Sequence, residues 1–449
     1  MRDLFLAGTL LPLVGIAVFR PFVGVLLWSW ISFMNPHRLT WGFATQMPWA
    51  VIIFCATAAG CVLAREPRRL RVNAVMLLML LLMVCITLTS TAALAPAAQV
   101  WAKWDRTFKV LVGLLLTAAL LDDRRRVHAL VWLMVIALGY FGVRGGIFTL
   151  MTGGGFIVMG PPDTMIADRN HLSVALLVTM PLMNYLRLHS RHRLVQLGLA
   201  AAMVFTLFSV VGSQSRGALV GLTATAGMMW LRSNRKIASG MVIVVAVAVA
   251  ITFMPDSWVE RMNTLNTYQA DASAMGRVRI WEAAWRFAVT RPLTGGGFVA
   301  SHYQYLVDQV VTGTAARAAH SIWFEVLGEH GFPTFAVWLS IIVTGVVFSL
   351  RVVRLSRDRP DLKWAYDLAR MAQVSIVAYV VGGTFLSLGY WDFFWTLIVV
   401  LGATLRLVND AVASHQETGA AAAADTWRKP GALAPKPASP VAARRALSS

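Results

Sequence analysis

Residues 76–88 read MLLMLLLMVCITL, and apolar runs of this kind recur along almost the whole chain. A run of about 18 apolar residues spans the ~30 Å hydrocarbon core of a bilayer as a helix. Backbone inside a bilayer must satisfy its own hydrogen bonds, which leaves helices or closed barrels. Barrel strands would alternate apolar and polar residues, and these runs do not. The chain is 57% hydrophobic and 14% charged. The expected fold class is all-α: a polytopic integral membrane protein with about twelve transmembrane helices and one large periplasmic loop carrying short helices.

The net charge of +19 raises nucleic acid as a partner, but the distribution of charge argues against it. The cations gather in short clusters between apolar runs: 65–71, 122–128, 187–193, 232–236 and 351–363. These five carry 18 Lys and Arg, against six in the loops 35–47, 92–107, 143–170, 212–216 and 386–392. That is the positive-inside asymmetry, which puts the basic loops in the cytoplasm. Membrane lipids are thus expected partners and nucleic acid is not. The long segment 255–331 is then expected on the opposite side.

Spans are expected near 48–64, 72–91, 108–121, 127–142, 171–187, 194–211, 217–231, 237–254, 333–350, 365–386 and 393–408. Residues 4–34 are broken by Arg20-Pro21, since helices usually end before proline. One crossing there gives twelve spans with both termini cytoplasmic; two would put the N-terminus outside. The start is read as a retained membrane segment, not a cleaved leader. Three regions are expected: 1–164, an N-terminal transmembrane region; 165–409, a core with the loop 255–331; and 410–449, a disordered cytoplasmic tail. Cys55, Cys61 and Cys85 all sit in apolar runs and read as small buried hydrophobes.

Three stretches could carry chemistry. In GSQSRGALVG (212–221), a helix is expected to begin on the outer face with Ser215 as N-cap. Unpaired N–H groups there suit anions, and the Arg216 fork matches phosphate. Gly212 and Gly217 would let a ligand approach the backbone. A capped turn with a snorkelling arginine is the plainer reading. MGRVRIWEAAWRFAVTRPLTGGGF (275–298) reads as an amphipathic helix ended by Arg291-Pro292, with Arg277 and Trp281 on one face and Arg279 on another. It could equally lie on the membrane with its tryptophans at headgroup level. AAHSIWFEVLGEHGFPTF (318–335) reads as a short helix closed by Gly331, with Pro333 opening the next span. His320 at its start has the ordinary pKa of a general base near neutrality. Glu325, Glu329 and His330 are expected to be supporting or solvated. No HEXXH or phosphate-loop pattern occurs, so no metal and no nucleotide site is expected. In ADRNHLSVAL (167–176), Arg169 and Asn170 open another helix on the outer face, with Asn170 expected as its cap. The glycine runs 153–155 and 295–297 read as flexible turns.

The order of these motifs carries a resemblance. SQSRG (213–217), GRVRIW (276–281), HSIW (320–323) and EHG (329–331) together resemble the O-antigen ligase/polymerase superfamily over roughly 165–350. RPFVGVLLWSWISFMNPHRLTWGFA (20–44) is similar to exosortase-associated O-glycosylation ligases. The resemblance implies a glycosyltransferase that moves a glycan from an undecaprenyl-pyrophosphate carrier to an acceptor hydroxyl, without nucleotide, metal or other cofactor. It implies that the segment 255–331 lies on the periplasmic side of a bacterial inner membrane. It implies pyrophosphate contacts from Arg216 and Arg277 beside Ser215, and His320 as the catalytic base. Arg279, Trp281, Glu329, Asn170 and Arg169 are weaker candidates. Ser321 departs from the Asn common at that position. Within the superfamily an O-antigen ligase with a lipid A–core acceptor ranks first. A protein O-oligosaccharyltransferase and an O-antigen polymerase are alternatives. A lipid-linked sugar transporter, the reading from another class, would need ionisable residues deep within the spans.

Overall fold

The computed structural model describes residues 1–63, 71–233, 235–252, 254–255 and 272–428. Among these no strand occurs, and the helices follow the apolar runs. They are α1 (Arg2–Phe19), α2 (Pro21–Met34), α3 (Phe43–Gln46), α4 (Trp49–Leu63), α5 (Ala74–Thr91), α6 (Ala97–Leu120), α7 (Arg124–Met151) and α8 (Arg169–His189). Then come α9 (Arg193–Gly212), α10 (Arg216–Arg232), α11 (Lys236–Thr252), α12 (Ala272–Thr290), α13 (Gln304–Val310), α14 (Ile322–Ser356), α15 (Lys363–Gly383) and α16 (Asp392–Arg428). Six of them, α1, α5, α7, α9, α14 and the part of α16 up to Glu417, are long and apolar enough to cross a membrane. The protein is therefore a multi-pass, all-α membrane protein; these six helices account for half of the expected twelve spans. Helices α2 and α4 and residues 236–249 are apolar but shorter.

The break at Arg20-Pro21 separates two antiparallel helices. Asp3, at the start of α1, accepts hydrogen bonds from the Gly42 and Ala44 amides at 2.9 and 3.1 Å, just beyond the end of α2. The far ends of α1 and α4 meet where Gly60 lies against the Ala17 carbonyl. The chain therefore begins on the same face as residues 35–47, which the one-crossing count did not expect.

The five basic clusters do share the opposite face, as far as they are described. Arg71 pairs with Asp410 at 2.6 Å, and His189 Nε2 lies 3.0 Å from Asp367. Arg406 donates to the Leu121 carbonyl, Arg370 to that of Arg232, and Arg359 to that of Ala411. Residues 64–70 and 234 lie outside the described residues.

One hydrophobic core extends from Phe33 to Val408 and so unites both ends of the chain. Helices α8 and α15 are its centre and are buried along most of their length. Helices α7 and α9 approach closely because Gly142, Gly145 and Gly146 face Thr206, Ser209 and Phe205, where any Cβ would collide. Small residues of this kind let membrane helices meet backbone to backbone.

Three sequence expectations need correction. Residues 92–107 are no loop, because α6 runs unbroken from Ala97 to Leu120 and carries Lys103 into the molecule. The tail does not begin at 410; α16 continues through its alanine run to Arg428, in keeping with the helix propensity of alanine. The glycine run 295–297 is a docked strap. Gly296 N and Gly297 N donate to the carbonyls of Gly328 and Glu329 at 2.9 and 2.8 Å, and the Leu94 amide donates to Gly296 at 2.9 Å. Gly297 has φ +83° and lies on Ala93, so both conformation and space call for glycine.

Candidate active site

The site lies on the face opposite the basic clusters, where α8, α10, α12 and the start of α14 converge. Ser215 caps α10, its hydroxyl accepting from the Ala218 amide at 3.1 Å. This places Arg216 as the first helical residue, as the sequence predicts. The preceding Gln214 has φ +52°, and its side-chain Nε2 donates to the Gly154 carbonyl at 3.1 Å. Gly212 serves packing and not a ligand: its missing side chain makes room for Thr149. Gly217 faces Phe385.

At the head of α8 the cap is Asp168, not Asn170. Its carboxylate accepts from the Asn170 amide at 2.8 Å, from the Asn170 side chain at 2.7 Å and from His171 at 3.4 Å. These donors hold the Asp168 carboxyl well below the usual range despite the burial that opposes them. Arg169 is the first residue of the helix.

Helix α12 ends at Thr290, immediately before Arg291-Pro292. Trp281 stacks on Phe324 of α14 with ring centroids 5.4 Å apart and planes 11° apart, and lies 6.4 Å from Phe385. Its indole N–H donates to the Ala319 carbonyl at 2.7 Å. Trp281 is therefore a structural pin beside His320, whereas Trp285 is half exposed. Arg279 does point elsewhere, donating to the Gly313 carbonyl at 3.3 Å.

His320 follows directly. Its backbone is left-handed, with φ +48°, a conformation that costs a non-glycine residue energy and needs support from its surroundings. The support is local: the His320 amide donates to Ser387 Oγ at 2.9 Å, and Ser321 then takes the N-cap position of α14. The Ser321 hydroxyl is buried with no partner among the described residues. The His320 imidazole pKa is pushed down to about 4, first by burial and then by the positive charges of Arg277, His171 and Arg317, with Asp168 opposing. At neutral pH the ring is therefore uncharged and able to accept a proton. The same interactions place Arg277, Arg317 and the head of α8 around it.

The helix that begins at Ser321 ends at Gly331, whose φ of 71° and ψ of −174° separate it from the long second segment of α14. Glu325 and Glu329, one turn apart, share one cation, Lys103. Its ammonium lies 3.1 Å from Glu325 Oε1 and 2.8 Å from Glu329 Oε1. Glu329 also accepts from the Val299 amide at 3.0 Å and the Tyr390 hydroxyl at 3.1 Å, and Glu325 accepts from the Gly389 amide at 3.0 Å. His330 is fully buried, its Nδ1 2.6 Å from Thr89 Oγ1. None of the three is solvated.

A cleft of about 10 Å³ beside this network is lined by Ser301, His302, Ala319, Phe324, Glu325, Glu329 and Ser387. It has room for a single water molecule.

Of the residues the sequence brought forward, Arg277 and the head of α8 lie around His320 and Trp281 is bonded just before it, while the head of α10 reaches this group through Gly217 and Phe385. Glu329 belongs to the Lys103 network at the other end of its helix. Lys103, Arg317, His171, Phe385 and Ser387 were not singled out. Lysine is rare in this chain, six against 34 arginines, and its place inside a Trp-rich amphipathic segment was the available signal for Lys103.

Residues 201–339 match the family model described as O-Antigen ligase, and residues 1–191 match a family of unknown function, DUF5935. No similar protein was found among the curated proteins. The first match covers just under a third of the chain and carries Arg216, Arg277, His320 and Glu329, so over that segment the chain is similar to the O-antigen ligase family. Lys103 and Asp168 lie in the second matched segment, so both segments contribute to this face.

Proposed function

We propose that the protein is an O-antigen ligase that moves a glycan from undecaprenyl pyrophosphate to a hydroxyl of lipid A–core oligosaccharide, on the periplasmic side of the inner membrane. The observation that carries this reading is a neutral, half-buried histidine, His320, set among Arg277, Arg317 and the head of α8 within the O-antigen ligase match.

In the reaction the acceptor oxygen attacks the anomeric carbon, and the bond from that carbon to the pyrophosphate oxygen breaks. The electron pair leaves with the pyrophosphate. His320 takes the acceptor proton. Arg277, Arg216 and the N-terminus of α10 oppose the charge that grows on the leaving group, which fixed donors stabilise most when they are already in place. Ser215 holds that helix start, and Trp281 holds the backbone just before His320. Arg169 and Asn170 belong to the neighbouring helix head, where Asn170 is engaged by Asp168. The donor is already activated by its leaving group, so the proposed chemistry needs no cofactor. The division into an N-terminal region, 1–164, and a core that begins at 165 is part of this proposal.

The test is transfer by the purified protein from an undecaprenyl-pyrophosphate glycan to rough lipopolysaccharide in EDTA. Label on lipid A–core, lost with His320→Ala, is the expected result. Longer carrier-linked chains on a bare core would make the protein a polymerase, and label only on added protein would make it an O-oligosaccharyltransferase.

A further inference from the structure

Helix α7 carries one arginine well inside its apolar length. Arg144 is exposed, and it makes no hydrogen bond or ion pair among the described residues. A cation on the outer surface of a membrane helix is costly unless it reaches the headgroups or meets an anion. One turn earlier the Tyr140 hydroxyl is likewise without a partner among them. Both residues border a groove of about 530 Å³ between α7 and α9, otherwise lined mainly by apolar side chains such as Trp132, Ile136, Leu199 and Ala202. Gly139 opens its floor, where Met183 comes closest.

We infer that this groove binds an anionic glycerophospholipid of the leaflet on the active-site face. Its phosphate would sit at Arg144 and the Tyr140 hydroxyl, and an acyl chain would run along the groove towards Trp132. Three observations select this occupant. The lining is apolar except at one end, which matches a chain with a polar head. The polar end carries a single guanidinium, which suits a singly charged phosphodiester better than a pyrophosphate. From Arg144 to Trp132, at about 1.5 Å per residue, the groove is ~18 Å long. That is close to half of the ~30 Å hydrocarbon core, the depth of one leaflet, and too short for an extended long-chain polyprenyl carrier. Arg144 also lies towards the Met151 end of α7, the end that faces the candidate site.

The inference does not depend on the proposed reaction, and its test needs no substrate. The full-length protein in detergent is exposed to equal amounts of phosphatidylglycerol and phosphatidylcholine, and retained lipid is measured by native mass spectrometry. Retention of phosphatidylglycerol should exceed that of phosphatidylcholine about tenfold, the scale of one charge-assisted hydrogen bond. Arg144→Gln should abolish the preference, and Arg144→Lys should keep part of it. Ala202→Phe, which fills the groove from α9, should lower retention of both lipids. Equal retention of the two lipids by the parent protein would overturn the inference. So would a preference that survives Arg144→Gln, or retention that Ala202→Phe leaves unchanged.

Discussion

The short helix from Ser321 to Gly331 has two very different ends. Glu329 near its C-terminal end and Glu325 one turn before it are buried, and their oxygens meet Lys103, Tyr390 and the amides of Val299 and Gly389. At its N-terminal end His320 is half exposed in a left-handed conformation, and the buried Ser321 hydroxyl has no partner among the described residues. The carboxylates are paired, although the buried His330 Nε2 beside them has no partner among the described residues, and the N-terminal end is strained. Buried networks are rigid when every member is paired, so the first end can hold the second in a conformation it would not adopt alone. A site residue needs this kind of support.

The comparison is broken or sharpened by substitutions at each end. His320→Ala should lower transfer by about 10²–10⁴-fold, the usual contribution of a positioned base, while thermal unfolding in detergent stays close to that of the parent. A variant that keeps most of its activity would remove His320 from the chemistry. Lys103→Met should do the reverse. It leaves two carboxylates buried without their cation and should cost about 3–5 kcal/mol, seen as a large fall in the unfolding midpoint. Adding Glu325→Gln and Glu329→Gln to it should restore part of that loss. An unchanged midpoint would mean that the network does not anchor the helix.

Smaller effects follow. Arg277→Lys keeps the charge but loses the planar fork, and should lower kcat/KM by about tenfold without a change in stability. His320→Gly should be more stable than His320→Ala by about 1 kcal/mol, because glycine enters the left-handed region freely. Equal midpoints would mean that no strain is held there. A further effect is in pH. The His320 pKa is lowered to about 4, so between that value and the ordinary His value of about 6.5 the unfolded chain binds the proton and the folded one does not. Stability from this group is complete above the ordinary value and is lost as pH falls through the window. His320→Gln should flatten that part of the midpoint-against-pH curve. In the parent, the acid limb of kcat/KM due to this group should lie well below 6.5.

Local signals in the sequence mark the helices of this protein well. Arg20-Pro21 and Arg291-Pro292 end helices where proline removes the donor, and Gly331 breaks α14 where it was expected to close a helix. The Ser215 cap is likewise legible, because cap and amide lie three residues apart. The Asn170 cap was misplaced by two residues, since Asp168 competes for the same role with a charged oxygen. The strap at 295–297 was misread as flexible because glycine runs look alike whether they are free or pressed against another backbone.

By itself the sequence determined that the chain is a helical membrane protein, where many of its helices start and stop, and which face carries its basic loops. These follow from bilayer thickness, backbone hydrogen bonding and the local preferences of proline, glycine and the cap residues. Only the tertiary structure decided that Lys103 serves Glu325 across 222 residues of sequence, that α1 and α2 are antiparallel, and that His320 is held by Ser387. Such partnerships are set by which helix faces pack together, and no periodicity within a single helix records what lies on the other side.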